Sequence, residues 1–359
     1  MKKHSIILSG LALAAVSLTS CSSNDDSTEI EDANAGIYTE VLTDLSVDVI
    51  TETYHSLYSN AQTLETAAAA LTIGNETQLQ AVKEAWQNTR APWEESEGFL
   101  YGPVDTEGID PAIDSWPVDV NAIDNILNSD NNITSTLLES NNEARGFHTI
   151  EYFVWGLDGN KTASELTARE LEYLVAATEN LQSQTQDLYF GWLASQGNFA
   201  ANFVNAGEAG SIYTSQKGAL EEIVEGLAII ADEVANGKIE EPLNGNNGGA
   251  KPEAEESRFS NNSKLDFANN IRSIQNIYLG DFDNVDHKGL TDIVILSDAD
   301  LDVEVRASIS DAITAIEAIS GTFTDAIVND RNAVQNAQTK VAELLVVIES
   351  ELVPFISNL

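Results

Sequence analysis

The chain has 359 residues, with 58 acidic against 17 basic side chains and a formal charge of −41. A surface this acidic repels nucleic acid and anionic headgroups and concentrates cations around itself, so no nucleic-acid partner is expected. With a single cysteine and a single methionine, disulfides and soft-metal sites of the thiolate or thioether type are excluded.

Met1-Lys2-Lys3-His4 and the apolar run Ile6 to Leu18 carry the charged and hydrophobic parts of an export signal. The run is too short for a bilayer, which needs about 20 apolar residues. It ends in Leu18-Thr19-Ser20-Cys21, which resembles a bacterial lipobox. Residues 1–20 are therefore read as a lipoprotein signal peptide and Cys21 as the lipidated mature N-terminus. Lipidation would leave no thiol, so any metal must be held by histidine nitrogen and oxygen ligands. Residues 21–35, including Asn24 to Asp32, read as an acidic flexible tether. The expected location is the bacterial cell envelope, anchored to the outer membrane through Cys21, periplasmic or surface-exposed.

Past residue 35 the apolar positions recur at helical period, predicting helices over 37–72, 76–98, 119–128, 143–156, 164–195, 212–240, 262–279, 299–320 and 322–357. Asp298 ahead of Leu301, and Ser164 with Glu165, read as helix starts. The strand-like run Asp292 to Leu296 is short enough to be a helical turn or a loop buttress. The expected fold is all-α, a helix-bundle protein. Its length implies two domains, an N-terminal bundle over 36–206 and a C-terminal bundle over 207–359. The boundary falls where Gly207 and Gly210 interrupt the pattern. Thr89-Arg90…Tyr101-Gly102 and Ile271-Arg272…Tyr278-Leu279-Gly280 echo one another, which points to an internal duplication.

In the second predicted helix, Trp86, Arg90, Trp93, Glu94 and Glu97 fall on one stripe, and Pro92 should kink the helix within it. The plain reading is a surface Arg90–Glu94 pair beside two core tryptophans. The functional reading gives Glu94 and Glu97 to a cation, with Arg90 orienting one of them. The following loop, Phe99 to Val118, holds Trp116 and several acids and is too long to be idle.

Residues 146–152 read Gly-Phe-His-Thr-Ile-Glu-Tyr. His148 and Glu151 share one face of a helix that is apolar all round and therefore buried. A buried imidazole and carboxylate must be paired, hydrogen-bonded or coordinating a metal. With Glu94 and Glu97 they make an oxygen-rich set for a divalent or ferric ion, iron best and zinc the other candidate. Other motifs fail. Asp298-x-Asp300-x-Asp302 lacks the glycine and glutamate of a calcium loop, having Val303 and Ile309 there. Asn244 to Gly249 is a flexible loop, not a phosphate cradle. No second histidine follows His148 in the spacing of a zinc-peptidase helix.

Gly146-x-His148-x-x-Glu151 is a signature of the imelysin-like proteins, and the chain resembles that family over most of its mature length. Trp86…Arg90-x-Pro92-Trp93…Glu97…Gly102-Pro103 is similar to the family's first-repeat helix. Glu240-Glu241-Pro242…Ser257-Arg258-Phe259-Ser260…Asp266-Phe267…Asn270…Tyr278-Leu279-Gly280 is similar to its second-repeat counterpart. The resemblance implies two related bundles, an envelope location and a link to iron uptake, with envelope iron-transport proteins as partners. The metal set is then His148, Glu151, Glu94 and Glu97. The surrounding pocket is Arg90, Trp93, Trp116, Ser257, Arg258, Ser260 and Asn276. The expected function is binding of iron or an iron-bearing ligand. The alternatives are a metallopeptidase using the His-x-x-Glu pair and a metal-free envelope scaffold.

Overall fold

The periodic apolar positions become helices in a computed structural model that describes residues 34–283 and 285–359. The expected signal peptide, Cys21 and most of the tether lie outside the described residues. Helix α1 (Ala35–Asp44) runs through a π-helical segment, Leu45–Ile50, into α2 (Thr51–Ala70). Helix α3 (Glu76–Glu94) starts at Asn75, whose side chain accepts from the Gln78 N–H and satisfies one of the free amides of the first turn. Helices α4 (Gly146–Trp155) and α5 (Ala168–Trp192) complete a bundle with α2 and α3. The second half is built from α6 (Gln216–Asp232), α7 (Ser263–Leu279), α8 (Ala299–Glu317) and α9 (Arg331–Val347). Among the described residues, strands occur only as Asp281–Phe282 paired with Val285–Asp286, so the all-α reading holds.

Several boundaries differ from the periodicity. The helix expected from 164 begins at Ala168, capped reciprocally by Thr167 and Glu170. Thr162 and Glu165 instead cap a separate short turn, Ala163–Glu165. The helix expected to reach 98 stops at Glu94 and is followed by a turn of 3-10 helix, Glu97–Phe99. The apolar run Asp292 to Leu296 lies within the helix Leu290–Ser297. Asp298 caps α8 through the Leu301 N–H, as the spacing predicts.

Helix α3 continues across Pro92 to Glu94. Proline leaves the carbonyl of Asn88 without its helical donor. Asn60 of α2 donates to that carbonyl at 2.8 Å, so the group is satisfied from the neighbouring helix. The stripe on α3 is buried throughout: Trp86, Arg90, Trp93 and Glu94 have no exposed surface. The plain reading of a surface Arg90–Glu94 pair is therefore set aside. No helix among the described residues is long and apolar enough to cross a membrane.

Residues 34–359 form one unit, and α3 of the first half packs along α7 of the second. The approach is close at Gly226 of α6, where an added Cβ would sit 2.4 Å from the Gly98 carbonyl oxygen. The bundles expected on either side of Gly207 and Gly210 are packed into this one unit. π-Helical segments interrupt long helices at Leu45–Ile50 in the first half and at Glu233–Ile239 and Ile348–Leu352 in the second.

Candidate metal centre

The seam between α3 and α7 holds a buried polar cluster. From α3 comes Arg90, whose guanidinium pairs with Glu94, Asp114, Glu256 at 2.6 Å and Asp266 at 3.5 Å. Its face stands over the Phe147 ring, 5.1 Å from the centroid. Glu97, on the turn after α3, accepts from Asn270 Nδ2 at 2.9 Å, and the same amide donates to Glu94. Trp93 Nε1 donates to Asp114 at 2.6 Å. Asp114 is held there by the loop 99–118, which places two single helical turns, Pro103–Thr106 and Asp110–Ile113, against the bundle.

Helix α4 supplies His148. Its Nδ1 lies 3.1 Å from Glu151 Oε2, and Glu151 Oε1 accepts from both the Ser260 N–H and its Oγ, each at 2.7 Å. The carboxylate is thereby fixed as acceptor for Nδ1, which turns Nε2 toward Asp114 at 3.2 Å and Glu256 at 3.3 Å. The Trp116 ring meets the imidazole edge-on at 4.9 Å. The glycine that opens the motif has a steric cause. Gly146 takes φ +78°, and a Cβ there would sit 2.2 Å from the Ile113 carbonyl oxygen. Only glycine lets the backbone beside Asp114 close onto the helix that carries His148.

Two sets of side chains have ligand atoms close enough to share an ion: Asp114, His148 and Glu256, and Glu94, Glu97 and Asp114. Asp114 belongs to both. The structure therefore brings His148, Glu94, Glu97, Arg90, Trp93 and Trp116 together. Glu151, expected as a ligand, belongs to neither set; its oxygens face Ser260 and His148 Nδ1, which places it to orient the imidazole. Ser260 joins the cluster through Glu151. Buried Ser257 turns the chain at φ +53°, and its carbonyl accepts from Ser260 Oγ at 3.1 Å.

Two expected pocket residues do not converge. Arg258 stacks on the Phe259 ring at 5.1 Å and lines a separate cleft with Thr322 and Thr324. The Asn276 side chain takes no part in the network; its carbonyl caps α7 at Gly280. Asn270, six residues earlier on the same helix, contacts the carboxylates instead.

Sequence reasoning missed Asp114, Glu256, Asp266, Asn270 and Lys238 as members. Asp114 lay in the loop singled out for its acids, and Glu256 directly precedes the Ser-Arg-Phe-Ser segment. Lys238 carried no signal; it sits on the second π-helical segment and reaches the cluster only through the tertiary fold.

The charge balance is one-sided. Six carboxylates (Glu94, Glu97, Asp114, Glu151, Glu256 and Asp266) face two permanent cations, Arg90 and Lys238. Burial pushes the Glu94 carboxyl up to about 8 against the pull of Arg90 and Lys238. Burial and the neighbouring Glu94 hold Glu97 well above its usual range. Burial opposes ionisation of Glu256, yet Lys238, His148 and Arg90 keep it well below. Burial would lower His148, but its hydrogen bonds to Asp114, Glu151 and Glu256 hold it well above its ordinary value. Glu94, Glu97 and His148 are thus all held toward their protonated forms. Asn270 Oδ1, fully buried, accepts no hydrogen bond, a further oxygen wanting a donor or a cation. These residues fit a hard cation with one nitrogen ligand. A cleft of about 470 Å³, lined by Glu97, Asp110, Asp114, Trp116, Glu233, Lys238 and Glu256 among others, connects the cluster to the surface.

The sequence profile of the imelysin family matches residues 50–348, and the chain belongs to that family. It is 31% identical to Iron-regulated protein A of Synechococcus elongatus over 238 residues, 65% of this chain and 62% of the relative. The chain thus spans about three fifths of that relative's length. A crystal structure from Parabacteroides distasonis, provisionally named as an iron-regulated protein A precursor, superposes with a TM-score of 0.76. It is 30% identical, with 88% of this chain and 95% of that one covered. An imelysin-like protein from Psychrobacter arcticum shares the fold at TM-score 0.73 and 17% identity, covering 91% and 97% of the two chains.

Proposed function

We propose that this protein is a lipid-anchored envelope protein that binds iron as cargo, ferrous or ferric, in the seam between its halves. The observation that carries the reading is the buried excess of carboxylates around Asp114, with the His148 imidazole aimed at it. Burying so many acids against two permanent cations costs too much unless a further cation or protons offset it. Asp114, His148 Nε2 and Glu256 would hold the ion, with Glu94 and Glu97 across the shared Asp114. An oxygen-rich set with one nitrogen suits iron better than a structural zinc site. The names of the Synechococcus and Parabacteroides relatives agree with a role under iron control. Anchoring through Cys21 and delivery to envelope iron-transport proteins belong to the same proposal.

Isothermal titration of ferrous, ferric and zinc ions into wild type and His148→Ala tests it, paired with a peptide-cleavage assay. Cation binding that falls at least tenfold in His148→Ala, with the circular-dichroism spectrum unchanged, supports the reading. Zinc-dependent cleavage lost in Glu151→Ala would replace it with a metallopeptidase. Neither binding nor cleavage would leave a scaffold.

A further inference from the structure

Lys238 is the one lysine inside the cluster, and its surroundings are those of a bound cation. It lies near the end of the π-helical segment Glu233–Ile239, with its side chain only 6% exposed. Its Nζ stands 3.0 Å from Glu97, 3.1 Å from Glu256 and 3.9 Å from Glu94. These three carboxylates come from both of the candidate ligand sets that Asp114 links. The ammonium therefore sits where the two sets meet.

We propose that Lys238 is a tethered competitor for the metal. Its ammonium fills the cation position in the metal-free protein, and an incoming ion binds by displacing it toward the mouth of the cleft. The inference rests on the metal-binding reading above.

The contrast with Arg90 assigns this role to Lys238. Arg90 is sealed from solvent and gripped by four carboxylates through a planar, rigid fork. Lys238 is a point charge on a flexible four-carbon stem and borders the open cleft. Glu233 lines the same cleft and offers the displaced ammonium a new partner, while Glu241 beside it already pairs with Lys251. π-Helical segments recur at functional sites.

The arrangement also selects by charge. A monovalent ion would replace one positive charge with another and gain nothing. A divalent or trivalent ion adds charge where the carboxylates lack it.

The test is titration of manganese(II), and of ferrous iron without oxygen, into wild type, Lys238→Met and Lys238→Gln, all stripped of metal beforehand. Both neutral variants should bind at least tenfold more tightly than wild type, or take up a second ion per chain. Hydrogen exchange over 233–239 should rise when metal is added to wild type. If Lys238→Met fails to fold without metal, Lys238→Gln carries the comparison. Wild-type binding with unchanged or weaker affinity in a folded neutral variant overturns the competitor role and leaves the binding reading standing. No binding by wild type or either variant overturns both. Binding by a neutral variant alone supports the competitor role in its strongest form.

Discussion

His148 Nε2 lies 3.2 Å from Asp114 Oδ1, a contact made within the first half between helix α4 and the loop 99–118. Its length depends on groups that touch neither atom: Glu151 sets the ring, and Gly146 sets the distance between helix and loop.

Glu151→Gln is expected to weaken cation binding by about 10- to 100-fold, the usual cost of losing a partner that orients a metal-binding histidine. The effect should be smaller than that of His148→Ala, because the nitrogen ligand remains. Titration of both variants separates the roles. Loss as complete as in His148→Ala would make Glu151 a ligand itself.

Gly146→Ala should destabilise the fold by more than about 1 kcal/mol, since alanine resists φ +78° and its Cβ collides with the Ile113 carbonyl. It should also weaken cation binding although no ligand is altered, because Asp114 is pushed away. Denaturant melts and ion titration together check this. A variant with wild-type affinity would separate the glycine from the site.

Glu94 gives the metal-free protein a pH dependence. Its carboxyl is raised from 4.5 to about 8 in the folded chain, mainly by burial, so the folded state binds that proton more tightly. The resulting stability is complete below about 4.5 and is lost as pH rises through about 8. His148 and Glu97, also raised, act in the same direction. Glu256 and Asp114, held low, lose their contribution only at the acid end. In chelator, Tm should fall between about pH 6.5 and 8.5, and Glu94→Gln should flatten that slope. A Tm that rises across this range in wild type would contradict the assignment.

Cys21→Ser should abolish acyl labelling and release the protein from the membrane fraction, or leave it as unprocessed precursor. Unchanged fractionation and labelling would remove the anchor from the proposal.

The helical fold was legible because α3, α5 and α8 keep strict apolar periodicity and carry side-chain caps. The His148 helix stood out because imidazole and carboxylate are conspicuous among Phe147, Ile150 and Phe153. Boundaries were less legible, since Leu166 and Asp330 break helices through backbone conformation that no proline announces. Half of the site was illegible for a different reason. Glu256 and Lys238 are ordinary charged residues in a chain rich in acids. What distinguishes them is burial against α3, which arises only when distant segments dock. Asn276 was chosen on the correct helix, but the face that meets Glu94 and Glu97 carries Asn270.

Arg90 and Glu256, 166 positions apart in the chain, meet in the seam. Neither half alone supplies both ligand sets, since Glu256 comes from the second half and the other ligands from the first. A cation held there binds the docked state and not the unfolded ensemble, so every increment of affinity becomes resistance to unfolding. Iron supply would then set the lifetime of the protein as well as its load, with depleted molecules the first to open to proteases.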